Sequence, residues 1–166
     1  MVGDLPIRRV LEVGCNRGHN LVALSHVLPE SNEVIGVEPN PHALEIARTA
    51  STKVAVLRGT IFDLPFKDSY FDLVFTAGVL IHVSPDELSA ALAEIYRVSR
   101  RFVLAVEYFA EEEQKIEYRG HDNLLWKRNF LREYQSRFPN LELTRSGVWD
   151  AADGFDHASW WLLERQ

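Results

Sequence analysis

The pattern Glu12-x-Gly14-x-x-x-Gly18, within VLEVGCNRGHN, sets a carboxylate two residues before one glycine and ends on a second. Glycines between a buried strand and a helix let backbone approach a ligand beside the helix N-terminus, where N–H groups are free. The middle glycine of G-x-G-x-x-G, which a pyrophosphate-binding dinucleotide site uses for close approach, is missing. An acid just upstream of Gly14 suits a ligand with a cationic end instead. Glu38 ends EVIGVE, where a carboxylate can accept from both hydroxyls of a ribose. A turn acid favoured by a helix dipole has the same address, and NAD enzymes use a similarly placed acid.

A second group of residues suits proton transfer. His82 follows the run FDLVFTAG, and imidazole is the side chain whose ordinary pKa lies nearest neutrality. A histidine leading into a helix that merely packs and hydrogen-bonds locally fits this position equally well. Glu107 and Tyr108 end an otherwise apolar run, where a carboxylate is costly unless it faces a cleft or finds a partner. Glu107 is thus a candidate base or acceptor contact. The stretch EYRGHDNLLWKRNF, residues 117–130, sets Tyr118, Arg119 and His121 around Gly120. Arg119 and His121, with Tyr108, are expected to line an acceptor pocket, suited to a carboxylate or phosphate. Lys127 and Arg128 lie one helical turn on in the same reading.

These residues need a scaffold, and the chain alternates short apolar runs with amphipathic segments. RRVLEVGC, EVIGVEP, KVAVLRG, FDLVFTAG and RFVLAVEYF read as five strands, the last buried on both faces. A helix begins near Gly18, another is capped by Asn40 with Pro41 at its first position, and SPDEL reads as a capping box. Asp122 is predicted to cap a helix that carries Leu124, Leu125, Leu131, Tyr134 and Phe138 and stops at Pro139. LELTRSGVW and ASWWLLERQ follow with no helix between them, as an antiparallel closing pair. The expected fold is α/β, a doubly wound, mostly parallel seven-stranded sheet with an antiparallel C-terminal hairpin. Ligands in such folds sit beyond the carboxyl ends of the strands.

The loop Glu12-x-Gly14-x-x-x-Gly18, with Glu38 after it, resembles motif I and its neighbour in class I S-adenosylmethionine-dependent methyltransferases. GTIFDLPF is similar to the segment in which that family places an acid on the adenine amine, here Asp63, with Ile61 and Phe62 about the ring. FDLVFTAGVLIHV resembles the fourth-strand motif and implies Thr76, Ala77 and Gly78 along the methionine portion. The resemblance implies S-adenosyl-L-methionine as cofactor, held by Glu12, Gly14, Asn16, Gly18, Asn20, Glu38, Pro39, Ile61, Phe62, Asp63, Thr76, Ala77 and Gly78. Beyond the general family, GVLIHVSPDEL, AVEYF, EYRGHDNLLWKRNF and SWWLLERQ are similar to the pseudaminic acid biosynthesis-associated methylases. That narrower likeness implies a sugar-derived acceptor in a surface-glycan pathway. Such methylases carry an upstream segment of aromatic and charged residues, whereas this chain enters its first strand within about ten residues. One domain, 1–166, without an N-terminal lid segment, is the expected organisation.

Composition bounds the alternatives. The 166 residues are 46% hydrophobic and 25% charged with a net charge of -6, as in an ordinary globular domain with a sizeable core. An acidic chain argues against a nucleic-acid partner, as does the lack of an NPPY-type fourth motif. A single cysteine, Cys15, allows neither an intrachain disulfide nor a thiolate zinc site, and nothing marks it as a nucleophile. No catalytic metal is expected. No run of about 18 apolar residues or signal-peptide core is present, so a cytoplasmic protein with no membrane contact is the default. The oligomeric state is left open. Competing with an active methyltransferase on a small-molecule acceptor are a non-catalytic cofactor-binding module and an NAD-dependent oxidoreductase.

Overall fold

The computed structural model describes residues 2–150, 152 and 157–166. Strands β1 (Arg9–Val13), β2 (Glu33–Glu38), β3 (Ala55–Arg58), β4 (Phe71–Ala77) and β5 (Ser99–Glu107) run parallel, joined by crossovers. Strands β8 (Leu141–Trp149) and β9 (Ala158–Arg165) close the sheet antiparallel, β9 pairing with β5. The strand order is β3-β2-β1-β4-β5-β9-β8, so the winding reverses between β1 and β4. At such a reversal two loops leave in opposite directions and open a crevice at the strands' carboxyl ends. The seven-stranded, mostly parallel sheet with its antiparallel closing pair is the one expected.

Helices α1 (His19–Val27) and α2 (Pro41–Ala50) cover one face of the sheet, where Leu21, Leu44 and Ala47 join Val10, Val34 and Leu73. Helices α3 (Pro85–Val98) and α4 (Phe130–Arg137) cover the other, where Leu88, Leu92, Ile95, Phe130 and Tyr134 meet Leu11, Val74 and Val103. Each such aliphatic side chain stabilises by about 1.5–3 kcal/mol relative to an exposed one. This double cover explains why the central strands read as continuous apolar runs. No described helix is long and apolar enough to cross a membrane.

Asn40 caps α2 as its sequence implies, its Oδ1 accepting from the His42 and Ala43 N–H groups at 3.0 and 3.4 Å. The capping box at α3 forms differently. Ser84 occupies the cap position, but its hydroxyl donates to the Glu87 carboxylate at 2.7 Å and accepts no backbone N–H.

The larger departure lies in residues 114–127. A helix capped by Asp122 was expected; the structure instead has an antiparallel hairpin of β6 (Gln114–Tyr118) and β7 (His121–Lys127). Its turn is Arg119-Gly120, with φ of +53° and +79°, the pair of positive angles that a two-residue turn between twisted strands requires. Leu125 and Trp126 are buried while Leu124 is exposed, a strand's environment and not a helix face. The helix starts later, capped by Asn129, whose Oδ1 accepts from the Arg132 N–H at 3.0 Å.

Candidate active site

The loop after β1 builds one wall of the crevice. Gly14 has φ +75°, and a Cβ placed there would sit 2.6 Å from Val79 Cγ2, so only glycine fits against the β4 turn. The Gly14 and Cys15 N–H groups both donate to the Val37 carbonyl, at 2.8 and 3.0 Å, which straps the loop to β2. Gly18 precedes α1 and lies against Ala47 of α2. Glu38, buried at the end of β2, accepts the Asn16 N–H on Oε2 and the Asn40 N–H on Oε1, each at 2.8 Å. Its lone pairs not used by these bonds face a groove of about 520 Å³ lined also by Gly14, Asn16, Pro39, Ile61, Phe62, Gly78 and His82. That volume lies within the range of cofactor sites.

Glu12 is only half satisfied by the chain itself. It is 1% exposed; Oε1 accepts from Asn20 Nδ2 at 2.7 Å, and Oε2 has no hydrogen-bond partner among the described residues. Burial pushes its carboxyl up to about 7; the Asn20 hydrogen bond opposes the shift, and the Glu38 charge adds to it. A buried carboxylate oxygen without a donor is costly and awaits a cationic or donor partner. The amino group of an amino-acid cofactor is such a partner. Cys15 beside it is buried, and its thiol is pushed up to about 12, which removes it as a nucleophile.

A second cavity, about 320 Å³, opens past the end of β5 and is lined by Asn20, Ala77, Gly78, Ile81, His82, Val106, Glu107, Tyr108, Tyr118, Leu125 and Ala158. Gly78 and His82 line both spaces. A Cβ added at Gly78 would meet nothing within 4 Å, so the tip of β4, shared by groove and cavity, is open and we take it as the doorway between them. His82 closes a 3₁₀ turn, Leu80–His82, and its Nδ1 lies 2.6 Å from the Leu124 carbonyl. A carbonyl only accepts, so Nδ1 carries the proton and Nε2 of the neutral ring keeps its lone pair.

Glu107 holds that turn from below. Its carboxylate accepts the N–H groups of Val79 at 3.3 Å, Leu80 at 3.1 Å and Ile81 at 3.4 Å. Burial dominates and raises its carboxyl to about 7, with the three N–H donors and Thr76 pulling the other way.

Residues 10–101, more than half of the chain, match the family model described as a methyltransferase domain. The chain belongs to that family. An uncharacterized methyltransferase of Schizosaccharomyces pombe is 39% identical over 103 residues, which cover 55% of this chain and 36% of the relative. Demethylmenaquinone methyltransferase of Lactiplantibacillus plantarum is 39% identical over 95 residues, covering 54% and 39%. The YcgJ methyltransferase of Bacillus subtilis is 29% identical over 167 residues, covering 92% and 63%. The chain therefore matches from about a third to under two thirds of these relatives' length. Among solved structures, a didemethyltoxoflavin N1-methyltransferase of Burkholderia thailandensis with bound S-adenosylhomocysteine superposes with a TM-score of 0.76 at 17% identity, covering 97% of this chain and 72% of that one. At that identity the likeness is one of fold. The family's cofactor is S-adenosylmethionine.

In this methyltransferase domain the expected cofactor residues sort by position. Gly14, Asn16, Glu38, Pro39, Ile61, Phe62 and Gly78 line the groove, and Asn20, Ala77 and Gly78 line the cavity beyond it. Glu12 lies behind Asn20. Asp63 is exposed beside the groove and not part of its lining; its N–H closes a turn onto the Thr60 carbonyl at 3.3 Å. Thr76 is buried beside Glu107 and is in the lining of neither space.

Of the acceptor residues expected, Tyr108 lines the cavity but Arg119 and His121 do not. They flank Gly120 at the hairpin tip, exposed, with the Arg119 guanidinium over the Tyr118 ring at 5.1 Å. The expected loop leading into a helix aimed them at the acceptor; a two-residue turn instead leaves them exposed at the hairpin tip. Lys127 and Arg128 likewise are not on a helix. Arg128 is 2% exposed, its Nε 3.0 Å from Glu113 Oε2 and its Nη1 donating to the Val83 carbonyl at 3.2 Å. It ties the hairpin to the turn that carries His82. Tyr118, Ile81 and Leu125 are cavity residues that the reading of the sequence missed. The Arg-Gly pair between aromatic and aliphatic alternation was the signal available for them.

Proposed function

We propose that this domain catalyses transfer of a methyl group from S-adenosylmethionine to an oxygen or nitrogen of a small-molecule acceptor, with His82 as general base. The observation that carries the reading is the imidazole at the doorway between the two spaces, its Nδ1 proton fixed by the Leu124 carbonyl. Nε2 is then the free base, available to take a proton from an acceptor seated in the cavity. S-adenosylmethionine, when bound, supplies a methyl group on a positively charged sulfur, which leaves as a neutral thioether when a lone pair bonds the carbon. Glu12 holds the cationic amine on its unpartnered oxygen, and Glu38 accepts from the ribose hydroxyls. Ile61 and Phe62 flank the adenine, with Asp63 beside them. Glu107 is a positioning residue in this reading, because its carboxylate is committed to the three N–H groups that shape the His82 turn.

Relatives named for demethylmenaquinone and a solved neighbour named for didemethyltoxoflavin support a small-molecule acceptor. The sugar-derived acceptor of a surface-glycan pathway rests on the likeness of the C-terminal stretches to the pseudaminic acid biosynthesis-associated methylases. Arg119 and His121, the groups meant to hold its anionic substituent, lie off the cavity. Titration calorimetry with S-adenosylmethionine, S-adenosylhomocysteine and NAD tests the cofactor half of the proposal. Binding of both sulfur compounds and no heat from NAD is expected; no heat from either sulfur compound ends it. Cofactor binding with no turnover on any acceptor would make the domain a non-catalytic module.

A further inference from the structure

Tyr108 and Tyr118 place two phenol rings on the walls of the cavity, and Ile81, Val106 and Leu125 make much of the remainder apolar. The His82 ring closes the side next to Tyr118, with centroids 5.5 Å apart and planes tilted by 56°. At about 30 Å³ for each water-sized group, 320 Å³ takes roughly ten non-hydrogen atoms, the size of one or two fused rings. No Lys or Arg is among the described residues lining it. Lys127 stands outside the lining, over the Tyr108 ring at 5.4 Å. The ionisable acid in the wall is Glu107, with Glu12 behind Asn20. An anionic substituent would therefore find no cation in the described lining to pair with, and burying a charge unpaired is costly.

The base points the same way. An ordinary imidazole has a pKa of about 6.5 and a phenol about 10, whereas an alcohol's O–H is a far weaker acid, close to water's own. A lone histidine is matched to an acidified hydroxyl or ring N–H far better than to a sugar alcohol.

We propose that the cavity takes a flat, uncharged ring bearing an acidic hydroxyl or ring N–H, a phenol or a hydroxylated nitrogen heteroaromatic, and not a sugar phosphate or nucleotide sugar. This rests on the reading of His82 as base. The ring packs against Tyr118 and Tyr108 with its hydroxyl at the Gly78 doorway. The hydroxyl proton would pass to His82 Nε2, the oxygen pair it leaves behind would make the new bond to the methyl carbon, and the carbon–sulfur bond would break with its pair staying on sulfur as a neutral thioether.

Binding to the full chain, saturated with S-adenosylhomocysteine, is read by saturation-transfer NMR. Catechol and 4-hydroxyquinoline serve as ring probes, glucose 6-phosphate and UDP-glucose as sugar probes. Ring probes should give signal that falls at least about fivefold in Tyr118→Ala and survives in Tyr118→Phe, which keeps the ring and controls for folding. Arg119→Ala should leave it unchanged. A sugar probe that binds at Tyr118 as well as the rings do overturns the proposal. So does ring binding that is indifferent to Tyr118→Ala. Failure to bind S-adenosylhomocysteine removes the methyltransferase reading itself; its binding with no ring signal removes only the assignment of the acceptor.

Discussion

The cofactor groove and the neighbouring cavity share Gly78 and His82, yet the chain builds them in opposite ways. The groove is made from loops that each directly follow a parallel strand: 14–18 after β1, 38–40 after β2, 59–62 after β3. Each loop is set by its own strand and by short bonds to the strand paired beside it, as Gly14 and Cys15 to Val37 and Asn16 to Glu38. The cavity draws on the β4 turn, the end of β5, a hairpin inserted after β5, and Ala158 at the start of β9. Its walls depend on pairings between distant segments. A site of the first kind is written into short motifs, and a site of the second kind is not.

The largest effect should come where the two spaces meet. His82→Ala is expected to lower kcat by about 10²- to 10⁴-fold, the usual contribution of a positioned base. Affinity for S-adenosylhomocysteine should change by less than about tenfold, since the groove keeps its other walls. A mutant that loses cofactor binding as completely as turnover would place His82 in the groove alone and dissolve the distinction.

Next comes Glu12, which belongs only to the cofactor side. Glu12→Gln should weaken S-adenosylhomocysteine binding by about 10- to 100-fold at pH 8, the loss of one charge-assisted contact of about 1.5–3 kcal/mol. In the wild type, burial holds the free carboxyl near 7, while docking of an ammonium requires it ionised. Binding should therefore release a proton and weaken by up to about tenfold per unit as pH falls below 7. Calorimetry in buffers of different ionisation heats reads that proton, and none should be released by Glu12→Gln.

Stability without ligand follows the same acids with the opposite sense. Glu12 and Glu107 are both raised to about 7 from 4.5 in the fold. Between those values the native chain keeps protons that the unfolded chain has lost, so their contribution is full below about 4.5 and vanishes as pH rises through 7. The Tm of the free protein should be higher at pH 6 than at pH 8, and Glu12→Gln should flatten the slope. An equal slope in that variant would mean that Glu12 is solvated in the free domain.

How far the sequence could be read follows the same division. The parallel strands were legible because burial on both faces leaves apolar runs, and the cofactor loop because Gly14 must be glycine to pass Val79. Glu12 and Glu38 stood out as acids at strand ends. Residues 114–127 were not legible, since Leu124 and Leu125 extend the helical spacing of Leu131 and Tyr134 by coincidence while the turn uses an arginine at positive φ. Glu107 was rightly noticed as a carboxylate in an apolar run. Its three N–H partners come from a turn 26 to 28 residues earlier, which no local pattern reveals.

The smallest effect is also the cleanest discriminator between hairpin and helix. Arg119 adopts φ +53° before Gly120, and Asn-Gly is the pair best suited to a turn with two positive angles. Arg119→Asn should stabilise the domain by a few tenths to about 1 kcal/mol, because asparagine enters the left-handed region with less strain than arginine. In the loop expected before a helix capped by Asp122 there is no positive angle to relieve, so the same change would be close to neutral. A rise in the urea midpoint therefore decides for the hairpin. Turnover should not move, because the side chain is not part of the cavity lining; a changed KM would return Arg119 to the acceptor and with it the case for an anionic substrate.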